Sequence, residues 1–192
     1  APSVAGSPDP ANAAAVIAAI DRAVRDAMSG AASAVVTAPI AKNVLYAAGF
    51  RYPGHTEYLA ALAGEITGTP PPEPVMLLAG GGLRVVPLTI HVPLAEVPRL
   101  VDGSLIEHTT EILAAALVRD FGIAQPRIVI AGLNPHAGES GTIGREDEDV
   151  VAPAVVRLRA RGLDVSGPRS ADTLFHPAAR AGYDAVVAMY HD

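Results

Sequence analysis

Arg127–Leu133 reads RIVIAGL and runs directly into Asn134–Arg145, NPHAGESGTIGR. The first stretch is almost continuously apolar, the character of a strand buried on both faces of a parallel sheet. The second mixes polar side chains with three glycines, and loops of that length in compact domains are commonly functional. A helical pattern from about Asp147 to Arg161 follows, placed to cross back over the sheet. Strand, long loop and crossover helix together predict an α/β fold.

Outward from this unit, Tyr183–Met189 (YDAVVAM) repeats the buried-strand pattern. Val75–Ala79 and Leu83–Ile90 flank Gly80-Gly81-Gly82, glycines that tolerate positive φ and so suit a hairpin, which makes the sheet mixed. Ser104 with Glu107 three residues on has the form of a capping box, and Ile106, Leu113, Leu117 and Phe121 mark a buried helix face ending near Gly122. Towards the start of the chain, Asp9-Pro10 opens a helix on which Val16, Ile20, Val24 and Ala27 repeat as far as Gly30. Ala34-Val35-Val36 then reads as a short buried strand ending at Thr37-Ala38-Pro39. Only the Pro-rich stretch Gly68–Pro74 resembles a linker.

The 192 residues, half of them hydrophobic, suffice for one sizeable core or two small ones. A net charge of −6 with scattered arginines offers no surface for nucleic acid. Apolar runs are broken well before the roughly 20 residues that span a bilayer, so neither membrane nor nucleic acid is expected as a partner. There is no cysteine, which fits a cytoplasmic protein, and any metal must then be held by histidine or carboxylate. Six histidines are available.

Three of them share one kind of position. His91 follows LRVVPLTI, His136 follows RIVIAGLNP and His191 follows YDAVVAMY, so each stands just beyond an expected strand. Ligands of α/β sheets bind outside the carboxyl ends of the strands, and three imidazoles converging there would hold a divalent ion with coordination positions left open. Taken on spacing alone, ordinary polar loop residues are the commoner explanation, because no short-range ligand motif is present. Pro53-Gly54-His55-Thr56-Glu57 is a second polar cluster, read either as a ligand grip or as a helix start capped by Thr56. Lys42 either neutralises an anion or is simply solvated. Asp172 is a proton acceptor, an orienter of a ligating histidine or a turn former, and Asp192 carries the same ambiguity. His108 and His176 lack a strand-end position and are read as surface or packing residues.

The segments TAPIAKNVLYAAGFRYPGHTEYLA (Thr37–Ala60), GLNPHAGESGTIGRED (Gly132–Asp147), GPRSADTLF (Gly167–Phe175) and AMYHD (Ala188–Asp192) resemble, in order and over nearly the whole chain, the 4-hydroxythreonine-4-phosphate dehydrogenase family. The resemblance implies a three-layer α/β/α, isopropylmalate-dehydrogenase-like subunit with a mixed sheet and two lobes. Residues 1–192 would be its central part, incomplete at both ends relative to the family. It also implies substrate binding by His55 and Thr56 and metal ligation by His91, His136 and His191, in a homodimer whose active site is shared between partners. The implied reaction is NAD- or NADP-linked oxidation of 4-phosphooxy-L-threonine, then decarboxylation to 3-amino-2-oxopropyl phosphate, in pyridoxal phosphate biosynthesis. The metal would be zinc first, with magnesium, manganese or cobalt as alternatives. No particular residue is singled out as the catalytic acid or base. Relatives acting on threonate or erythronate 4-phosphate, or on a dihydrodiol dicarboxylate, are the competing reading. A metal-dependent hydrolase or a non-catalytic metal-binding remnant is a further one.

Overall fold

The computed structural model describes Val4 and residues 6–191; Asp192 lies outside the described residues. The chain divides after Pro74 into two compact units, so the Pro-rich linker ends where the second unit begins.

The first unit is helical. The Asp9 side chain accepts a hydrogen bond from the Ala11 amide, and Pro10 leads a 3-10 turn, Pro10–Asn12, into α1 (Ala13–Met28). Ile20 and Val24 of α1 are buried with Leu45 of α2 (Lys42–Ala47), with Phe50, and with Tyr58 and Leu62 of α3 (His55–Thr67). Tyr58 donates its hydroxyl to Asp21, and burial, then that acceptor, push the phenol pKa up. Gly68, at φ 68°, closes α3 with its amide on the Gly64 carbonyl, the left-handed ending that glycine permits. The expected strand Ala34–Val36 is absent. These residues take no regular structure, and Val36 is 95% exposed. An apolar triplet becomes a strand only against a pairing neighbour, and among the described residues it has none; only Val35 packs onto the helical core.

The second unit contains a five-stranded sheet in the order β1-β2-β5-β3-β4. β1 (Leu78–Gly80) and β2 (Leu83–Pro87) form the expected hairpin, with Gly81 and Gly82 both at positive φ as a two-residue type I′ turn requires. Next come α4 (Val97–Leu100) and α5 (Gly103–Arg119). β3 (Arg127–Ala131) is the RIVIA strand, and it leads through a π-helical turn (Asp147–Val151) and α6 (Ala152–Ala160) to β4 (Asp164–Arg169). α7 (Pro177–Arg180) and β5 (Ala185–Ala188) complete the unit. β3 is parallel to both neighbours, β4 and β5, and β5 is parallel to β2, so the antiparallel pair is confined to the hairpin. The period of two along β3 divides its side chains: Ile128 and Ile130 join Leu113 and Leu117 of α5 and Leu158 of α6, while Val129 and Ala131 pack with Leu174 and Tyr183. Both faces of the central strand are therefore covered, as its unbroken apolarity requires.

Two readings around α5 need correction. Its N-cap is Asp102, which accepts from the Leu105 amide, not Ser104. Glu107 is buried and accepts from the guanidinium groups of Arg157 and Arg161, tying α5 to α6; a carboxylate that finds two cations is not free to turn back to a helix end. Phe121 lies past the end of α5, 40% exposed, under the Arg84 guanidinium. β4 was not anticipated, because Gly167-Pro168 interrupts its apolar pattern; as an edge strand it tolerates the missing amide.

The amino end of β3 is locked to the start of β5 by Asp184, which accepts from the Arg127 amide at 2.8 Å and from its guanidinium at 3.0 Å. Arg127 holds this carboxyl below its ordinary pKa. A carboxylate depressed in the folded state stabilises fully above its unfolded value of about 4 and loses that contribution as pH falls through the folded value. Asp184→Asn is therefore expected to cost about 1–3 kcal/mol at neutral pH, with the difference from wild type shrinking in acid. Urea midpoints measured across that range check it; a pH-independent difference would contradict it.

Among the described residues, no helix is long and apolar enough to cross a membrane.

Candidate active site

In the sheet, the carboxyl ends of β2, β5 and β3 lie side by side. Pairing continues past β2 and β5: the Leu88 amide donates to the Ala188 carbonyl, and the amide and hydroxyl of Thr89 donate to the Met189 carbonyl. This ladder carries His91 and His191 out together, and their rings stand 5.9 Å apart between centroids. His91 adopts φ 56°, a left-handed conformation that is uncommon for a residue with a side chain and clusters at functional sites.

The loop after β3 is more constrained still. From His136 to Gly141 every residue has positive φ: 51°, 51°, 78°, 42°, 56° and 82°. Each non-glycine member costs on the order of 1–3 kcal/mol and persists only where its surroundings hold it. The holding group is Asp147, whose side chain is fully buried. Its Oδ1 accepts from the Leu133 amide at 2.8 Å, and its Oδ2 accepts from the Asn134 amide at 2.9 Å and from Asn134 Nδ2 at 3.1 Å. Asn134 Nδ2 also donates to Glu146 at 2.8 Å, which lowers the pKa of that carboxyl. A Cβ on Gly144 would fall within 2.8 Å of the Asn134 side chain, so only glycine leaves room there.

His136 and His191 both line a cavity of about 730 Å³, whose wall also includes Asn134, Asp172, Phe175 and Met189. Asp172 sits in a 3-10 turn, Ala171–Thr173. The Ser170 hydroxyl donates to it and His136 lies nearby; both effects, Ser170 first, lower its pKa and keep it an anion facing the cavity. His91 belongs to this group through its ring contact with His191.

Within the described residues of one chain, no three His, Asp or Glu side chains come close enough to enclose a metal. The donors themselves are of a kind that would suit a divalent ion, since imidazole nitrogens are common ligands: His91 is in ring contact with His191, His136 lines the same cavity as His191, and all three residues are exposed.

His55 and Thr56 stand in the other unit, in the first turn of α3. The cap is Gly54, with no side-chain hydrogen bond, so Thr56 is not the cap that its position suggested. Gly54 is held close by its neighbours: a Cβ there would lie 3.2 Å from Glu57 Oε2 and 3.3 Å from Lys42 Nζ. His55 Nε2 is buried and, among the described residues, has no hydrogen-bond partner, whereas Thr56 is exposed. The remaining histidines behave as packing and surface groups: His176 Nδ1 accepts from the Ala179 amide and caps α7, and His108 is exposed on α5.

Asn134, Glu146 and Asp147 were not singled out from the sequence, although Asn-Pro at a strand end and two acids opening the crossover helix were the available signals.

A mainly parallel sheet whose carboxyl edge presents a histidine-lined cavity defines an α/β protein of the ligand-binding kind. The chain belongs to the family described as pyridoxal phosphate biosynthetic protein PdxA, whose model matches residues 2–192. It is 55% identical, over 192 residues, to the 4-hydroxythreonine-4-phosphate dehydrogenase of Maricaulis maris, covering 100% of this chain and 56% of the relative. The crystal structure of a 4-hydroxythreonine-4-phosphate dehydrogenase from Burkholderia phymatum superposes with a TM-score of 0.84 at 45% identity, over 97% of this chain and 55% of that one. A terephthalate 1,2-cis-dihydrodiol dehydrogenase from Burkholderia xenovorans superposes at 0.73 with 36% identity, over 99% and 58%. The chain thus spans a little over half the length of these relatives.

Proposed function

We propose that this chain is the central part of a two-lobed, cytoplasmic 4-hydroxythreonine-4-phosphate dehydrogenase subunit that acts as a homodimer with metal ligands shared between partners. The reading is supported by the ring contact of His91 with His191 and by the cavity that His136 and His191 both line, beyond the carboxyl ends of the sheet strands, in a chain of this family. The substrate is 4-phosphooxy-L-threonine and the oxidant NAD or NADP.

His91, His136 and His191 are the residues that would hold a divalent ion, zinc first among zinc, magnesium, manganese and cobalt. Such an ion supplies Lewis acidity for the oxidation and for loss of the carboxylate. His55 offers a buried Nε2 lacking a hydrogen-bond partner among the described residues, and Thr56 an exposed hydroxyl in the same helical turn, to grip and orient the substrate. Asp172, a carboxylate on the cavity wall, is the acceptor for the proton of the secondary alcohol. A bound nicotinamide would supply the hydride acceptor for the carbinol carbon, and the product after loss of carbon dioxide would be 3-amino-2-oxopropyl phosphate. The nicotinamide is assigned to no residue of this chain.

The likeness to a terephthalate dihydrodiol dehydrogenase supports a second reading, oxidation of a dihydrodiol dicarboxylate. The phosphate separates the two. A site built to bind a dianion rejects an analogue that lacks it by about 10⁴-fold, because its polar groups are left unpaired. With NADH formation as the readout, the phosphorylated amino acid should be oxidised and its dephosphorylated form should lose turnover on that scale. Equal turnover of the two, or oxidation of a dihydrodiol dicarboxylate alone, would overturn the assignment. Metal-dependent turnover without any nicotinamide would point to a hydrolase.

A further inference from the structure

We infer that Asp147 is a positioning residue, one that fixes the His136 loop in the shape needed for metal binding; the inference rests on the reading of His136 as a ligand. The left-handed run from His136 to Gly141 contains four residues with side chains, so nothing in its local preferences selects that shape. Asp147 is where the shape is imposed. Its carboxylate is fully buried, and its partners are the Leu133 amide, the Asn134 amide and the Asn134 side-chain amide, all on the two residues that lead into Pro135 and His136.

The fit around this carboxylate is close. A Cβ on Gly132 would lie 3.1 Å from Asp147 Oδ1, and one on Gly138, which would meet the Gly144 carbonyl oxygen at 2.8 Å, would lie 3.6 Å from Asp147 Oδ2. Glycines at these places let the acid sit between the strand end and the loop. Because Asp147 also opens the turn that continues into α6, the loop is anchored to the crossover helix at its far end. Its charge stands in the first turn of that helical segment, where a carboxylate is favourably placed. Asp147→Asn keeps the shape but replaces one accepting oxygen by a donor, setting N–H against N–H.

Asp184→Asn is the control, since it removes a hydrogen-bonded, half-buried carboxylate at the opposite end of β3 and touches neither the loop nor the histidines. In the full-length protein, Asp147→Asn should weaken zinc binding, measured by competition with a chromophoric chelator, by about 10- to 100-fold, the usual effect of losing a group that orients a ligand. In the metal-free protein it should also speed hydrogen exchange of the Leu133 and Asn134 amides. Asp184→Asn should leave both unchanged despite its own loss of stability. If Asp147→Asn does not fold, Asn134→Ala, which removes the side-chain tie alone, should shift both readouts in the same direction by less. Wild-type zinc affinity and exchange in Asp147→Asn, or equal losses in Asp184→Asn, would overturn the inference. A wild type that binds no zinc would instead sink the metal reading, and exchange alone would then decide whether Asp147 orders the loop.

Discussion

His136→Ala is expected to lower affinity for a divalent ion by more than about 100-fold, whereas His108→Ala leaves it unchanged. The contrast follows from place, not residue type. His136 stands on a loop whose backbone is held in an unfavourable conformation and lines the cavity that His191 also lines, while His108 is exposed on the outer side of α5. Loss of an outer group that merely orients a ligand costs roughly 10–100-fold, so loss of one of three ligands should exceed that range. Metal titration of the two variants, with circular dichroism to verify folding, reads the result. Equal effects would remove His136 from the ligand set.

Ile130→Ala should destabilise the second unit by about 3–5 kcal/mol, the upper part of the range for truncating a buried aliphatic residue. Ile130 is fully buried in the strand paired on both sides, and its register partner Val187 is fully buried as well. The surroundings have little freedom to collapse into the vacated space. On the β4 side, a Cβ on Gly167 would fall 3.1 Å from Ile130 Cβ and 2.5 Å from its carbonyl oxygen, so the backbones already approach as closely as they can. Denaturant unfolding monitored on the sheet unit measures the loss. A value below about 1 kcal/mol would mean that the site relaxes as surface positions do.

The parts of the architecture that were legible in the sequence are those with one dominant local signal. The apolar run Ile128–Ala131 had to be covered on both faces, paired glycines with positive φ had to make a turn at Gly81-Gly82, and Asp9-Pro10 had to open a helix. Most of the failures share a cause, which is that a partner distant in sequence decided the outcome. Glu107 met Arg157 and Arg161 instead of the end of its own helix. Thr56 is the local exception, since the cap fell two residues earlier, at Gly54. Ala34–Val36 has strand composition but no neighbour to pair with among the described residues, and β4 was hidden by Gly167-Pro168 because its strand character comes from pairing with β3.

For the site, strand-end placement marked His91, His136 and His191 only as candidates and the family resemblance made them a set; the structure brings His91 beside His191 and places His136 on the same cavity as His191. Spacing alone could not show the ladder from Leu88 to Met189 that carries two of them together, nor the left-handed turn that carries the third. That turn is governed by Asp147, in the sequence merely one acid in a run of acids. Only its burial and its three N–H donors distinguish it from Glu148 and Asp149, which pair with Arg145 at the surface.

The most direct measurement of the central claim is reduction of NAD or NADP by the full-length protein given 4-phosphooxy-L-threonine, before and after a chelator strips divalent metal, and again after zinc is returned. The account predicts turnover that the chelator abolishes and zinc restores in the wild type but not in His136→Ala. Turnover indifferent to the chelator, or none with any phosphorylated or dihydrodiol acid, would contradict it.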